Sequence, residues 1–486
     1  MLHARLFGES QKYRDQHFKP TKPDSDAPFL DGNPAIDRPF FVQFCANDPQ
    51  ALLNAAKLVA PYCDAVDLNL GCPQGIAKKG HYGSFLQEDQ ELIHRLIKTL
   101  HENLDIPVTA KIRILDTKEA TLKYAQNVLS AGASILTVHG RRREQKGHLT
   151  GLADWQMIRY LRDNLPPETV LFANGNILQH EDLEKCLAAT GADGVMSAEG
   201  NLSNPGIFAS PPPPSQEPRG YWRGKDGRGG WRVDEVFRRY LDIIHQYVLC
   251  QSPPPRRPLF VPGDDTAWLA EEVILPGQDS NNNGANPKKR RSDTLKENPA
   301  LAAANFTAMQ PHLFHLLRHF VSRHHDVRDA LARARLGDIE TYEAIYRMVE
   351  KKVAEGLLEY ERTEGKSVEG DVPPPPAEGE EDDPESSARA VRECKRPWWV
   401  VQPIIRPLPK EAMAKGAVQM SKKERKRMAA EMEGREEKGA KKSKEEDGAK
   451  KPAAAGGDAA AAGETAAAAE SLEKTTSYRS SELVSG

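Results

Sequence analysis

The 486-residue chain is poor in cysteine, with six in all. No two of them form a CxxC pair, which argues against a disulfide framework and a structural zinc site, so no metal is expected. A reducing compartment, cytoplasmic or nuclear, is the expected setting. No apolar run reaches the roughly 20 residues that cross a bilayer, so no membrane partner is expected. The first residues, "MLHARLFGESQKYRDQHF", lack the apolar centre and cleavage site of a signal peptide. Charge of one sign is also lacking: the formal net charge is -3, which assigns no partner by bulk electrostatics. No GxGxxG follows a strand and no Walker A motif occurs, so neither a Rossmann site nor a P-loop is indicated.

What is present between about 39 and 210 is a dense alternation of strand-like and helix-like runs. The strands read as "PFFVQFC" (39–45), "AVDLNL" (65–70), "PVTAKIRI" (107–114), "SILTVHG" (134–140), "TVLFANG" (169–175) and "DGVMSAEG" (193–200). Amphipathic runs such as "DQELIHRLIKTLHENL" separate them. This spacing predicts a parallel sheet with crossover helices. The runs read as largely apolar, as for strands buried on both faces. Polar residues sit near the C-terminal end of nearly every strand, which favours a closed (β/α)8 TIM barrel over an open sheet with one switch point. Six strands are counted where eight are needed. Residues 1–7 can supply the tail of one more, 8–38 read as loop, and the barrel is expected to lack its first strand.

Four regions are expected. Residues 1–210 form the catalytic barrel. Residues 211–308 form a Pro/Gly-rich and polar insert with a helix near 236–249. Residues 309–360 form a small helical domain rich in Arg and His. Residues 361–486 form a mostly disordered charged tail with an ordered patch or docking segment near 396–407. The basic clusters "NPKKRRSD" (286–293) and "KKERKR" (422–427) are candidate nuclear signals.

Chemistry concentrates in a few places. Cys72 follows a strand, precedes Pro73 and opens a glycine-rich loop, a setting that aims a thiol at a barrel mouth as nucleophile or general acid. Cys45, Cys63, Cys186, Cys250 and Cys394 lack that setting and read as packing residues. Lys111, two residues before Arg113, is costly inside an apolar strand unless it meets an anion. His139 and Arg141 in "VHGRRR" read as binding groups at the mouth. Gly175 and Gly200 allow close backbone approach after the last two strands, where barrels often hold a phosphate.

Together, "DLNLGCPQGIAKKGHYGSFL", "VTAKIRI", "TVHGRRR", "FANGNI" and "VMSAEGNLSNPGIF" resemble the tRNA-dihydrouridine synthases, over about 1–210 and again over 309–353. The likeness is to the eukaryotic branch acting on D-loop positions 16 and 17. The resemblance implies an FMN-bearing barrel, a helical tRNA-binding domain, and reduction of the uracil C5–C6 bond with NADPH or NADH. It implies Cys72 as proton donor. Gln43, Lys111, His139, Asn174, Gly175, Asn176, Ala198 and Glu199 correspond to flavin-binding positions. Asn69, Arg113 and Arg141, with Lys78 and Lys79 beside the thiol, correspond to substrate-binding positions. Arg323, His324, His325 and Arg328 are candidates for holding the RNA backbone. A monomer is the expected state. The family's opening Ala-Pro-Met turn has no match here, and Ser84 stands where alanine is usual. Two other readings stay open: another FMN barrel oxidoreductase such as a dihydroorotate dehydrogenase, and an inactive or RNA-binding remnant of the same family.

Overall fold

The computed structural model describes residues 1–22, 25–147, 150–276, 304–377, 383, 386–408 and 411–412. Both basic clusters, residues 277–303 of the polar insert, and the tail from 413 onward lie outside the described residues. Everything below concerns the compact unit Met1–Pro409.

Seven strands form one parallel sheet in sequential order. They are β1 (Leu2–His3), β2 (Phe41–Cys45), β3 (Ala65–Asn69), β4 (Val108–Arg113), β5 (Ile135–His139), β6 (Val170–Asn174) and β7 (Gly194–Met196). Helices cross between them: α1 (Ala4–Glu9), α2 (Gln11–His17), α3 (Pro49–Val59), α4 (Gly75–Gly80), α5 (Gln90–Asn103), α6 (Lys118–Ser130), α7 (Trp155–Asn164) and α8 (Glu181–Thr190), with the short α9 (Glu199–Ser203) after β7. The arrangement is that of a (β/α)8 barrel, seven of whose strands lie among the described residues. The segment 8–38 is not simply loop, since it ends α1 and carries all of α2. The run 193–200 is strand only at Gly194–Met196 and turns helical at Glu199.

Local chemistry explains the boundaries. Asp48, Asp89, Thr117 and Asp154 cap α3, α5, α6 and α7, each side chain accepting from a backbone N–H three residues on. Ile93, Leu96, Ile97 and Leu100 recur at helical spacing on α5 and are fully buried. Gly191, at φ +65°, ends α8.

The strands are not uniformly apolar. Register pairs Gln43 with Asp67, Asn69 with Lys111, Lys111 with Thr137, and Arg113 with His139, which in turn faces Asn174. Because side chains alternate along a strand, these polar groups share one face of the sheet. Val66, Leu68, Ala110, Ile112, Leu136 and Val138 take the other face, inside the main apolar core. Both faces are buried, and the polar one looks inward. The apolar reading came from burial on both sides, which the strands do have.

Beyond the barrel, an antiparallel hairpin of β8 (Tyr221–Arg223) and β9 (Gly229–Trp231) leads into α10 (Val233–Ile243). Then come α11 (Ala304–Leu316), α12 (Arg318–Val321), α13 (His325–Arg333), α14 (Ile339–Arg362) and α15 (Ser387–Cys394). The helix expected inside an insert is instead part of the helical core: Phe237 and Leu241 pack in the same cluster as Phe320, Tyr346, Trp398 and Trp399. Arg238 fastens it, donating to Tyr346 Oη at 2.7 Å and Glu350 Oε1 at 2.9 Å. The segment around 396–402 is ordered and closes this core, with Val401 N donating to Trp231 O at 2.9 Å and Val233 N to Trp399 O at 2.8 Å. Helix α11 packs against α9.

Candidate active site

A parallel sheet brings every strand's C-terminal end to one rim. Gln43, Asn69, Lys111, Arg113, His139 and Asn174 all stand there, on β2 to β6. On one side of the rim lies a relay that starts at Asp67, a residue the sequence reading passed over together with Thr109. Asp67 Oδ1 accepts from Thr109 Oγ1 at 2.7 Å, and Asp67 Oδ2 accepts from Gln43 Nε2 at 2.7 Å. That fixes the Gln43 amide, so Gln43 Oε1 accepts from Asn69 Nδ2 at 2.9 Å. Asn69 Oδ1 then accepts from the backbone N–H groups of Gly71 and Cys72, both at 3.0 Å. A carboxylate is acceptor-only, and each amide has one donor end and one acceptor end. The orientation therefore propagates from Asp67 to the turn that carries the thiol. Burial raises the Asp67 carboxyl, opposed by the bonds from Thr109 and Gln43.

Cys72 is buried and packs with Cys45, Ala77, Tyr82 and Phe85. Its carbonyl accepts from Ser84 N at 3.1 Å and Ser84 Oγ at 2.9 Å. The Ser84 hydroxyl thus adds a bond to the thiol loop that an alanine could not make. Gly83, at φ +65°, is needed here, because a Cβ would lie 2.8 Å from Cys72 O and 2.9 Å from Cys72 Cβ. The loop after β5 clamps the same turn: Lys146 Nζ donates to Pro73 O at 2.7 Å, and Arg143 Nη1 to Ser84 O at 3.2 Å. Burial pushes the neighbouring Cys45 up to about 11, and Cys63 and Cys186 likewise to about 11, so they persist as thiols.

Lys111 and Arg113 occupy the middle of the rim. Arg113 Nε donates to Gly71 O at 2.7 Å and Nη1 to Arg142 O at 3.1 Å, which commits the guanidinium to bracing the thiol loop. Lys111 is 7% exposed and its ammonium makes no hydrogen bond among the described residues. Burial, then Arg113, lower it to about 8, against the pull of Asp67. When protonated, an amine in this position can donate to an acceptor that a ligand brings to the rim.

A cavity of about 140 Å³ opens beyond it, at the ends of β5, β6 and β7. His139, Arg141, Asn174, Gly175, Asn176, Ala198 and Glu199 all line it, so the structure gathers these sequence-selected residues in one place. Arg141 Nη1 lies 3.1 Å from His139 Nε2, so this nitrogen accepts and the ring proton sits on Nδ1. Burial, then Lys111, holds His139 well below its usual value, hence neutral. His139 Nδ1 is buried and has no partner among the described residues. Arg141 is held by Gly151 O and by Asn176 Oδ1, the latter at 2.5 Å. Gly175 is at φ +111°, and a Cβ there would sit 2.7 Å from Ala153 Cβ and 3.0 Å from His139 Cδ2. Asn174 Nδ2 donates to Met196 O at 2.8 Å, tying β6 to β7. Glu199 Oε1 pairs with Arg406 Nη2 at 2.6 Å. Glu199 thus enters the cavity wall as the partner of Arg406.

Other selected residues lie elsewhere. Lys78 and Lys79 are exposed on α4, not lining the cavity. Arg323, His325 and Arg328 are exposed on the helical domain, while His324 is not available to a phosphate. Its ring packs on Phe320 and Trp398, with centroids 4.6 and 4.5 Å away, and burial, then Lys352, lower it to about 4. The aromatic neighbour lies at position 398, too far along the chain for local periodicity to reveal.

Comparison with known proteins places the chain in a family. Residues 1–221 match the family model for dihydrouridine synthase (Dus). The chain is 43% identical over 408 residues to the tRNA-dihydrouridine(16/17) synthase [NAD(P)(+)] of Saccharomyces cerevisiae, covering 84% of this chain and 77% of that protein. It is 42% identical over 412 residues to the protein of the same name from Schizosaccharomyces pombe, covering 84% of this chain and 81% of that one. A Mus musculus protein named as like these is 45% identical over 249 residues, 51% of this chain and 46% of its own length. Among solved structures, a DHODH from Eimeria tenella is similar at a TM-score of 0.28 and 14% identity, over 34% of this chain and 53% of that one, too low to bear on function. On sequence identity over most of its length, the chain belongs to the tRNA-dihydrouridine synthase family.

Proposed function

We propose that this protein reduces the C5–C6 double bond of D-loop uridines in tRNA, at positions 16 and 17, with FMN as its cofactor and NAD(P)H as reductant. The observation that carries the reading is the polar rim: a bonded relay that ends on the Cys72 turn, a buried lysine near Asp67, and a small cavity lined by a histidine whose Nδ1–H has no partner among the described residues. These fit a flavin mononucleotide. Lys111 meets the need of the pyrimidine end for a donor, and His139 Nδ1–H and Arg141 meet the need of a phosphate. Gly175 leaves room for close approach. When bound, the flavin supplies hydride chemistry between NAD(P)H and uracil C6.

The protein's part is proton handling and position. Cys72 Sγ holds the proton for uracil C5, and its turn is fixed from Asn69, Ser84 and Arg113. Lys111, as an ammonium, would hold the flavin ring and would offset negative charge on it. A uridine must leave its stack to reach this rim, at a cost of a few kcal/mol. Exposed Arg323 and Arg328 on the helical domain offset that cost through the RNA backbone. The test is a flavin spectrum of the purified, FMN-reconstituted chain, followed on adding NADPH. A bound flavin that bleaches supports the reading. Protein that stays colourless after reconstitution contradicts it.

A further inference from the structure

The cavity at β5–β7 has a third wall that comes from far along the chain. After Trp398 and Trp399 enter the helical core, the chain continues across to the barrel. His319 Nε2 lies 3.1 Å from Pro403 O. Ile404, Ile405, Arg406 and Leu408 then line the cavity, with Ser387 and Ala390 of α15 beside them. Arg406 Nη2 bonds Glu199 Oε1 at 2.6 Å, and Nη1 reaches Gly147 O at 3.5 Å. Arg406 Nε is buried and has no partner among the described residues. Two residues that line one cavity, His139 and Arg406, thus each carry a buried N–H, Nδ1 and Nε, with no acceptor among the described residues. They come from independent elements, a barrel strand and a C-terminal segment 267 positions later. Leaving either unmet is costly. Of the ionised groups lining the cavity, Arg141 and Arg406 are cations and Glu199 is the anion, so the balance favours an anion.

We propose that Arg406 is a phosphate-binding residue of this cavity, supplied by the segment 396–408, and that it makes the site prefer FMN over flavins lacking a phosphate. The inference deepens the flavin reading above and rests on it for the identity of the phosphate ester. Glu199 holds the guanidinium in place through Nη2, and Nε–H, which has no acceptor among the described residues, is a donor offered to the ligand. The segment also joins the helical core to the phosphate end of the barrel.

The experiment titrates FMN and riboflavin into the flavin-free full chain, read by flavin fluorescence, with melting curves as a check on folding. Wild type is expected to bind FMN more tightly than riboflavin. Arg406→Ala is expected to weaken FMN by about tenfold or more, the scale of one charged hydrogen bond, and to leave riboflavin unchanged. Arg406→Lys is expected to recover part of the loss. Equal weakening of both flavins assigns Arg406 a structural role and overturns the proposal, as does no change in either. If wild type binds neither flavin, the flavin reading fails, and inorganic phosphate then decides on Arg406 alone. A phosphate-induced rise in melting temperature that Arg406→Ala abolishes upholds the anion site, and an equal rise in both proteins overturns it.

Discussion

At the scale of single residues, the thiol turn is oriented by a carboxylate several bonds away. Asp67 sets the Gln43 amide, Gln43 sets Asn69, and Asn69 holds the N–H groups of Gly71 and Cys72. Asp67→Asn gives the chain of amides a second, flipped arrangement. Turnover is expected to fall by up to about a hundredfold, the effect of a misplaced reacting group, with flavin binding nearly intact. Steady-state kinetics beside a flavin titration check this, and equal losses in both would contradict it. Lys111 makes a pH prediction. Its folded value of about 8 lies below the ordinary lysine value of 10.5. The neutral amine is thus favoured on folding, so this group's contribution to stability is full above the unfolded value and lost as pH falls through 8. Ligand binding runs the other way, since an acceptor needs the ammonium: FMN affinity is expected to weaken as pH rises past about 8. Lys111→Met should flatten both trends, in denaturant melts and in flavin titrations. Lys111, His139 and Cys72 were legible because a polar group near a buried strand's end demands a reason. Asp67 and Thr109 were hidden by reading their strands as apolar, although a period of two places them on the same face as Asn69 and Lys111.

At the scale of elements, the helical core depends on a segment that arrives last. Trp399 is 1% exposed and contacts Trp398, Trp222 and Tyr360 at ring centroid distances of 5.1, 6.1 and 5.8 Å. Trp399→Ala is expected to cost about 3–5 kcal/mol, seen as a lower denaturation midpoint. The hairpin's junction with α10 carries a fully buried ion pair, Arg232 Nη2 to Asp234 Oδ2 at 2.5 Å, with Arg232 Nη1 also donating to Phe260 O at 2.6 Å. Asp234→Ala strands that guanidinium and is expected to cost about 3–5 kcal/mol in the same melts, whereas an exposed pair such as Lys98–Glu102 should cost under about 1 kcal/mol. The barrel strands were legible because each is a short run between helix caps. The place of α10 was not, because its partners lie some 70 to 170 positions away.

At the scale of the molecule, a net charge of -3 conceals a division of labour. The barrel turns Lys111, Arg113 and Arg141 toward its rim, and the helical domain presents Arg323 and Arg328 outward. Affinity for tRNA is expected to fall linearly on a log–log plot against salt, with a shallower slope for the Arg323→Ala/Arg328→Ala double variant. Filter binding over a salt series checks this, and a flat response would contradict it. The central claim is that one rim holds flavin and thiol together for reduction of uridine. It is tested most directly by incubating the FMN-loaded chain and its Cys72→Ala variant with NADPH and unmodified tRNA, then measuring dihydrouridine by nucleoside mass spectrometry. The expected result is dihydrouridine at positions 16 and 17 from the wild type, and almost none from Cys72→Ala with its flavin spectrum intact. Product formed by Cys72→Ala at the wild-type rate, or no product from the flavin-loaded wild type, would contradict the account.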